Sequence, residues 1–524
     1  MIEGVSLMLN GLHVLVAATY TTMVMVFSGL LAIVDRIVRI IIVGLRLENL
    51  IAPRLGRTLC LAYVFLASAH FVDPKDTLSK VVFYGLHGIA VTLYLFCTMN
   101  LQSMTFSHEG RLNAYERWFE RNLFNPKDVY FLEILVVGSL ATVPLFVLLF
   151  VPGYQNWAVF LMFFRLRFHA GPINEMLLHH NMHTDFFRTR HLKSRWTAFV
   201  FKAHQFYLDW IFGPMSSNHA HYYRVHHVYN HHKENNNLED ITTLAKYDRS
   251  SFFDFCKACL KFELSWTFGL DLLVYLLRNK KNKLAGMLVS GILWTAIFIS
   301  VMYYLNPIGA YFFLFVSGFT GAGVALGVWS WHALVDPDDI GNIYTNCVNV
   351  DVYTYTMDAY HLEHHRKQAV HFSKYPELFV SQLEVYRREG SLIFRGLLSR
   401  EMFVFCLLLK KFDVLATHLV NLESEPRNKK ELAALLETRS KSIEPRQHSS
   451  FYFGLEKAII TLLWRLSGVP IKSPAVNYSK DEVEPWSAKL EPFFPGTENL
   501  RPFPLTQKYA MAMSTSAPNT SQLP

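Results

Sequence analysis

Histidine occurs in this chain in three tight clusters: His179-His180-Asn181-Met182-His183, His226-His227-Val228-Tyr229-Asn230-His231-His232, and His361-Leu362-Glu363-His364-His365. Each contains a pair four residues apart: His179/His183, His227/His231 and His361/His365. On a helix that spacing aims two or three imidazoles at one point. Neutral imidazole is the commonest protein metal ligand. The eight nitrogens of His179, His183, His227, His231, His232, His361, His364 and His365 are too many for one zinc ion but suit two redox-active ions. A metal-uptake loop would be low in complexity and variable in spacing, whereas these clusters sit in mixed sequence between apolar spans.

Acidic residues are scarce within the clusters, which sets them apart from the carboxylate-rich sites of soluble di-iron enzymes. Two irons held mostly by imidazole beside a membrane can activate oxygen and abstract hydrogen from an unactivated CH2. No side-chain acid or base performs that step, so the metal carries the chemistry and the protein positions a hydrocarbon substrate.

The elements that must position the clusters are apolar. Runs at about 11–34, 81–101, 130–152, 285–305 and 308–332 approach the roughly 20 residues of a bilayer-spanning helix. Shorter runs at 57–72 and 155–168 are spans or re-entrant segments. Arg36, Arg39 and Arg46 follow the first run, which puts its C-terminal end in the cytosol. The run is not a cleavable signal, since no positive charge precedes it. Counting both short runs as spans places the charged loop at 102–128, all three clusters and the C-terminal tail on the cytosolic side. Hairpins at 130–168 and 285–332 then deliver remote clusters to one place. His13, His70 and His87 are isolated within apolar runs and read as hydrogen-bonded bundle residues.

The fold class expected is all-α: a multi-pass helical membrane protein with a cytosolic, histidine-rich helical cap. Its parts are an N-terminal membrane unit with a connecting loop (1–128), a catalytic domain of two hairpins plus cap (129–372), a polar C-terminal helical region (373–495) and a disordered tail (496–524). Asn428 to Arg439 reads as a surface helix of mixed charge. Gly321, Gly323 and Gly327 read as a helix-packing pattern rather than a nucleotide loop. Six cysteines show no disulfide framework, and the lone Cys256-Lys257-Ala258-Cys259 reads as structural. The net charge of +8 suits loops beside anionic headgroups. Nucleic acid is excluded as a partner because Lys and Arg are spread along the loops with no aromatic platform.

The three clusters resemble the HxxxH, HxxxHH and HxxHH boxes of the membrane-bound fatty acid desaturase superfamily, carried by His179 and His183, by His227, His231 and His232, and by His361, His364 and His365. His231 to Asn236 and Trp331 to Pro337 also resemble segments of desaturase-like proteins, and the likeness covers roughly 130–440. The resemblance implies a mushroom-like helical membrane domain, a cap holding two irons, and consumption of O2 with two electrons from outside. It also makes His332, at a span's cytosolic end, a candidate accessory ligand. His219, His221 and His371 are additional histidines near the boxes, Asn346 and Asn349 are weaker candidates, and Asp358, Glu363 and Glu234 are candidate acceptors for ring N–H groups. The doublets His179-His180 and His226-His227 leave the register of the first two boxes open.

The function expected is an O2-dependent membrane di-iron oxidoreductase that introduces a double bond into a fatty acyl lipid or acyl-CoA. A hydroxylase on the same scaffold is the alternative. A b-type heme or metal-transport protein is remote, because the clustered histidines fall at or beyond span ends. No His-Pro-Gly-Gly motif of a fused cytochrome-like domain occurs, so electrons come from a separate cytochrome or ferredoxin-type donor. The endoplasmic reticulum is the expected location, with a plastid membrane as the alternative.

Overall fold

The computed structural model describes residues 114–349, 359–394, 397, 400–420, 427–444 and 450–467. The expected spans before residue 102, His13, His70, His87, Asp358 and the tail from 496 lie outside the described residues. Within them the chain is mostly helical. The strand content is one two-residue parallel pair, β1 (Val348–Asn349) with β2 (Ile393–Phe394).

Helix α1 (Ala114–Asn122) occupies part of the expected charged loop. Its buried Phe119 stacks on Phe201, and that packing fixes a helix where charge alone suggested none. Helices α2 (Val129–Leu148) and α3 (Trp157–Thr184) form the first hairpin, turning through Gly153 at φ 87°. The short run at 155–168 is the first half of α3, which continues without a break through the first histidine cluster. At 28 residues it is about 42 Å long, enough to carry an apolar segment and the histidine cluster on one rod.

Helix α4 (Arg195–Tyr207) starts at Ser194, whose side chain caps Thr197 N. The second cluster is not a plain α-helix. After α5 (Tyr222–His226) the chain widens into a π-helical turn over His227–His231 before His232. Helices α6 (Phe252–Phe268) and α7 (Leu270–Arg278) share Gly269, whose left-handed φ of 62° ends one helix and begins the next.

Helices α8 (Asn282–Leu305) and α9 (Pro307–His332) make the second hairpin. Asn306 caps Gly309 N and Pro307 occupies the first helical position, so the turn needs only one linking residue. These two are long and apolar enough to cross a membrane. Along α8 the exposed residues Val289, Leu293, Ile297, Val301 and Leu305 recur every four positions. The two hairpins meet in a small core that includes Leu149, Phe163 and Phe313.

A second, larger core joins the histidine-bearing part to the rest. It holds α10 (His361–Arg366), α11 (Tyr375–Ser381) and α12 (Leu383–Arg388). It continues into α13 (Arg400–Leu408), α14 (Phe412–His418), α15 (Lys429–Arg439) and α16 (Ser450–Ser467). The expectation that the chain is polar from about 372 onward fails at α13. Met402 to Leu408 are buried against α9, because this apolar segment covers the histidine-bearing helices rather than facing water. Helix α15 is the mixed-charge surface helix expected, and it starts in a capping box of Asn428 and Glu431. Cys256 and Cys259 are buried in the large core.

Buried Arg249 ties these parts together. Its guanidinium donates to the carbonyls of Ala333, Ala245, Tyr247 and Arg439. One side chain thereby fastens the end of α9, next to His332, to the end of α15.

Candidate metal centre

Helix α3 supplies His179 and His183 from adjacent turns, α5 and its π-helical extension supply His227, His231 and His232, α9 ends in His332, and α10 supplies His361, His364 and His365. The folded chain sorts eight of them into two groups of four: His179, His183, His227 and His364, and His231, His332, His361 and His365. Within each group the candidate ligand atoms lie within 4.8 Å of one another. His232 stands between the groups, with Nε2 3.0 Å from Nε2 of both His227 and His364 and its ring stacked on His365. All are buried except half-buried His183.

The expectation that each cluster aims at one point holds for the first cluster and fails for the other two. The π-helical turn sends His227 to one group and His231 to the other, and α10 sends His364 one way and His361 with His365 the other. Neither group is complete without residues from three separate segments.

The register of the doublets is visible in the packing. His179 faces the first group, while His180 turns away to stack on Phe131 and meet Phe372 edge to face. His227 faces the group, while His226 packs on Tyr222 and Trp266. His332, the accessory candidate, joins the second group, with Nε2 2.8 Å from His361 Nε2. The other additional histidines are elsewhere: His371 pairs with Asp128, His221 packs on Trp210, and His219 lines a separate cavity.

The outer contacts differ from those expected. Glu363 accepts from the Tyr386 hydroxyl, and Glu234 is engaged by Lys233 and Tyr275, so neither meets a histidine ring here. The carboxylate that does is Asp240, whose Oδ2 lies 2.8 Å from His231 Nδ1. Tyr223 and Tyr375 sit 3.1 Å from Nδ1 of His179 and His364. Nothing in the cluster spacing marks Asp240, though an acid nine residues after a box histidine is within reach of one compact loop. Asn346 donates to Asn235, and Asn349 is buried with both amide atoms unpartnered.

These residues fit cations. Burial first, then the charge neighbouring imidazoles would carry, pushes His227, His232, His361, His364 and His365 well below the ordinary histidine range, which favours the neutral form a metal ligand needs. Asp240 can only accept, so His231 Nδ1 carries the proton and its Nε2 presents a lone pair to the second group. His183 Nε2 and both ring nitrogens of His365 are buried without a hydrogen-bond partner. Buried, unpaired nitrogens crowded this closely are costly unless something positive sits among them.

Residues 152–395 match the model of the fatty acid desaturase family. That stretch carries every histidine of both groups and is similar to the fatty acid desaturase family. No curated protein and no solved structure matches the chain.

Proposed function

We propose that this protein is an O2-dependent, membrane-bound di-iron oxidoreductase that introduces a double bond into a fatty acyl chain. The observation that carries the reading is the pair of buried four-histidine groups with His232 between them. His179, His183, His227 and His364 would hold one iron, and His231, His332, His361 and His365 the other. The irons supply activation of O2 and removal of hydrogen from unactivated CH2 groups. The chain's own residues do the rest. Asp240 holds the His231 ring in one tautomer, Tyr223 and Tyr375 orient His179 and His364, and the buried surroundings keep water from the ligands.

Membrane placement rests on the apolar, outward-facing stripe of α8 and on α4. Trp196, Phe199 and Phe206 are exposed along one side of α4, beside the exposed basic residues Lys193, Arg195 and Lys202. Aromatic rings flanked by cations suit the boundary between hydrocarbon and anionic headgroups. The substrate is a fatty acyl lipid or acyl-CoA, electrons come from a separate cytochrome or ferredoxin-type donor, and the endoplasmic reticulum is the proposed location. The same scaffold serves hydroxylation, since both reactions begin with hydrogen removal. Mass analysis of the product decides: loss of two hydrogens supports desaturation, and gain of one oxygen atom replaces it with hydroxylation.

A further inference from the structure

Between α3, α6, α8 and α9 lies a cavity of about 130 Å³, lined on one side by Glu175. Glu175 precedes His179 by four residues on α3, so the cavity is about 6 Å along the helix from the first histidine group. Four buried polar atoms on its lining residues have no hydrogen-bond partner: Asn218 Oδ1, His219 Nδ1, Glu263 Oε1 and Thr295 Oγ1. They come from three different parts of the chain, the 216–221 loop, α6 and α8.

Neighbouring contacts account for the placement of three of them. Asn218 Nδ2 donates to both Glu175 oxygens, which leaves its Oδ1 unpaired. The His219 ring is held against the backbone of Trp266 and Thr267, which leaves Nδ1 open. This loop can approach α8 because Gly291 has no side chain, and a Cβ there would collide with the Ala220 carbonyl. Glu263 occupies the room a side chain at Gly321 would take, which gives that glycine a role beyond helix packing. Burial pushes the Glu263 carboxyl well above its ordinary range, so it is a neutral acid that both donates and accepts. Ser217 and Thr320 are already engaged by Arg167. Phe298 of α8 and Phe313 of α9 complete an apolar wall.

A bare hydrocarbon here would leave all four atoms unpaired. A hydroxyl, with one donor and two lone pairs, can pair with up to three of them, and a primary amide with all four. We propose that the cavity holds the hydroxyl or amide of a long-chain lipid, and that this lipid is the substrate, whose chain reaches the histidine groups one helical turn away. The substrate assignment rests on the oxidoreductase reading above.

The test uses the full-length protein in lipid nanodiscs and a dodecanol carrying a photoreactive diazirine beside its hydroxyl. Label is expected in 295–299 and 313–324, with unlabelled dodecanol or dodecanamide competing and dodecane not. Competition by only one of the two polar lipids identifies which group the site takes. Thr295→Val and Glu263→Leu should each lower labelling about fivefold, Glu263→Gln should retain it, and iron per chain should stay the same in all three. Equal competition by dodecane, labelling unchanged in both variants, or no label in these segments would overturn the inference. Absence of iron from the unaltered protein would instead overturn the oxidoreductase reading and leave the labelling result standing.

Discussion

The carboxylate of Asp240 and the imidazole of His231 are a buried pair, 2.8 Å apart, joining a loop to the second histidine group. Asp240 is itself fixed by the backbone N–H groups of Asn236 and Thr242. Asp240→Asn replaces an obligate acceptor with a group that can also donate, so the His231 tautomer is no longer enforced. Metal affinity at the second group should fall about 10- to 100-fold, as for other outer-contact substitutions. Chelator titration of the iron-loaded protein measures this, and an unchanged titration curve would remove Asp240 from the site.

His179→Ala and His227→Ala should abolish activity and reduce iron per chain, since each removes a nitrogen from the first group. His180→Ala and His226→Ala should keep both irons, at a cost of about 2 kcal/mol in packing against Phe131 and Trp266. Iron analysis with thermal melts separates the two effects. Loss of iron on changing His180 or His226, with retention on changing His179 or His227, would shift the register by one residue.

Arg249→Leu leaves the carbonyls of Ala333, Ala245, Tyr247 and Arg439 without their buried donor. A loss of about 3 kcal/mol is expected, together with weaker metal retention, because the end of α9 carries His332. Arg249→Lys should recover only part of it, as one ammonium cannot span the fork. A melting temperature unchanged in Arg249→Leu would contradict this role.

Acid should destabilise the metal-free protein. His227, His232, His361, His364 and His365 have folded pKa values well below their unfolded value of about 6.5. Below that pH the unfolded chain binds protons that the folded chain refuses, so stability is present above pH 6.5 or so and declines as pH falls. Each group contributes up to about 1.4 kcal/mol per pH unit. Denaturant melts of chelator-stripped protein from pH 7 to pH 5 should show that decline, and a flat profile would mean that these rings are not buried and neutral.

The sequons Asn477-Tyr478-Ser479 and Asn519-Thr520-Ser521 should stay unmodified if the C-terminal tail is cytosolic. A glycosidase-sensitive mobility shift lost in Asn477→Gln or Asn519→Gln would reverse the proposed orientation of the whole catalytic part.

The sequence by itself determined the three histidine clusters, the second hairpin, the mixed-charge helix from Asn428 and the likeness to the desaturase boxes. These are local: spacing, apolar runs and capping chemistry act within a few residues. Only the tertiary structure decided how the boxes divide. The π-helical turn parts His227 from His231, the phase of α10 parts His364 from its neighbours, and His332 completes a group whose other members lie 101, 29 and 33 residues away at His231, His361 and His365. Asp240 reaches its histidine through a folded loop, and Gly291 and Gly321 let distant segments approach beside the polar cavity. Ring direction depends on helix phase and on what packs against it, and residue spacing carries neither.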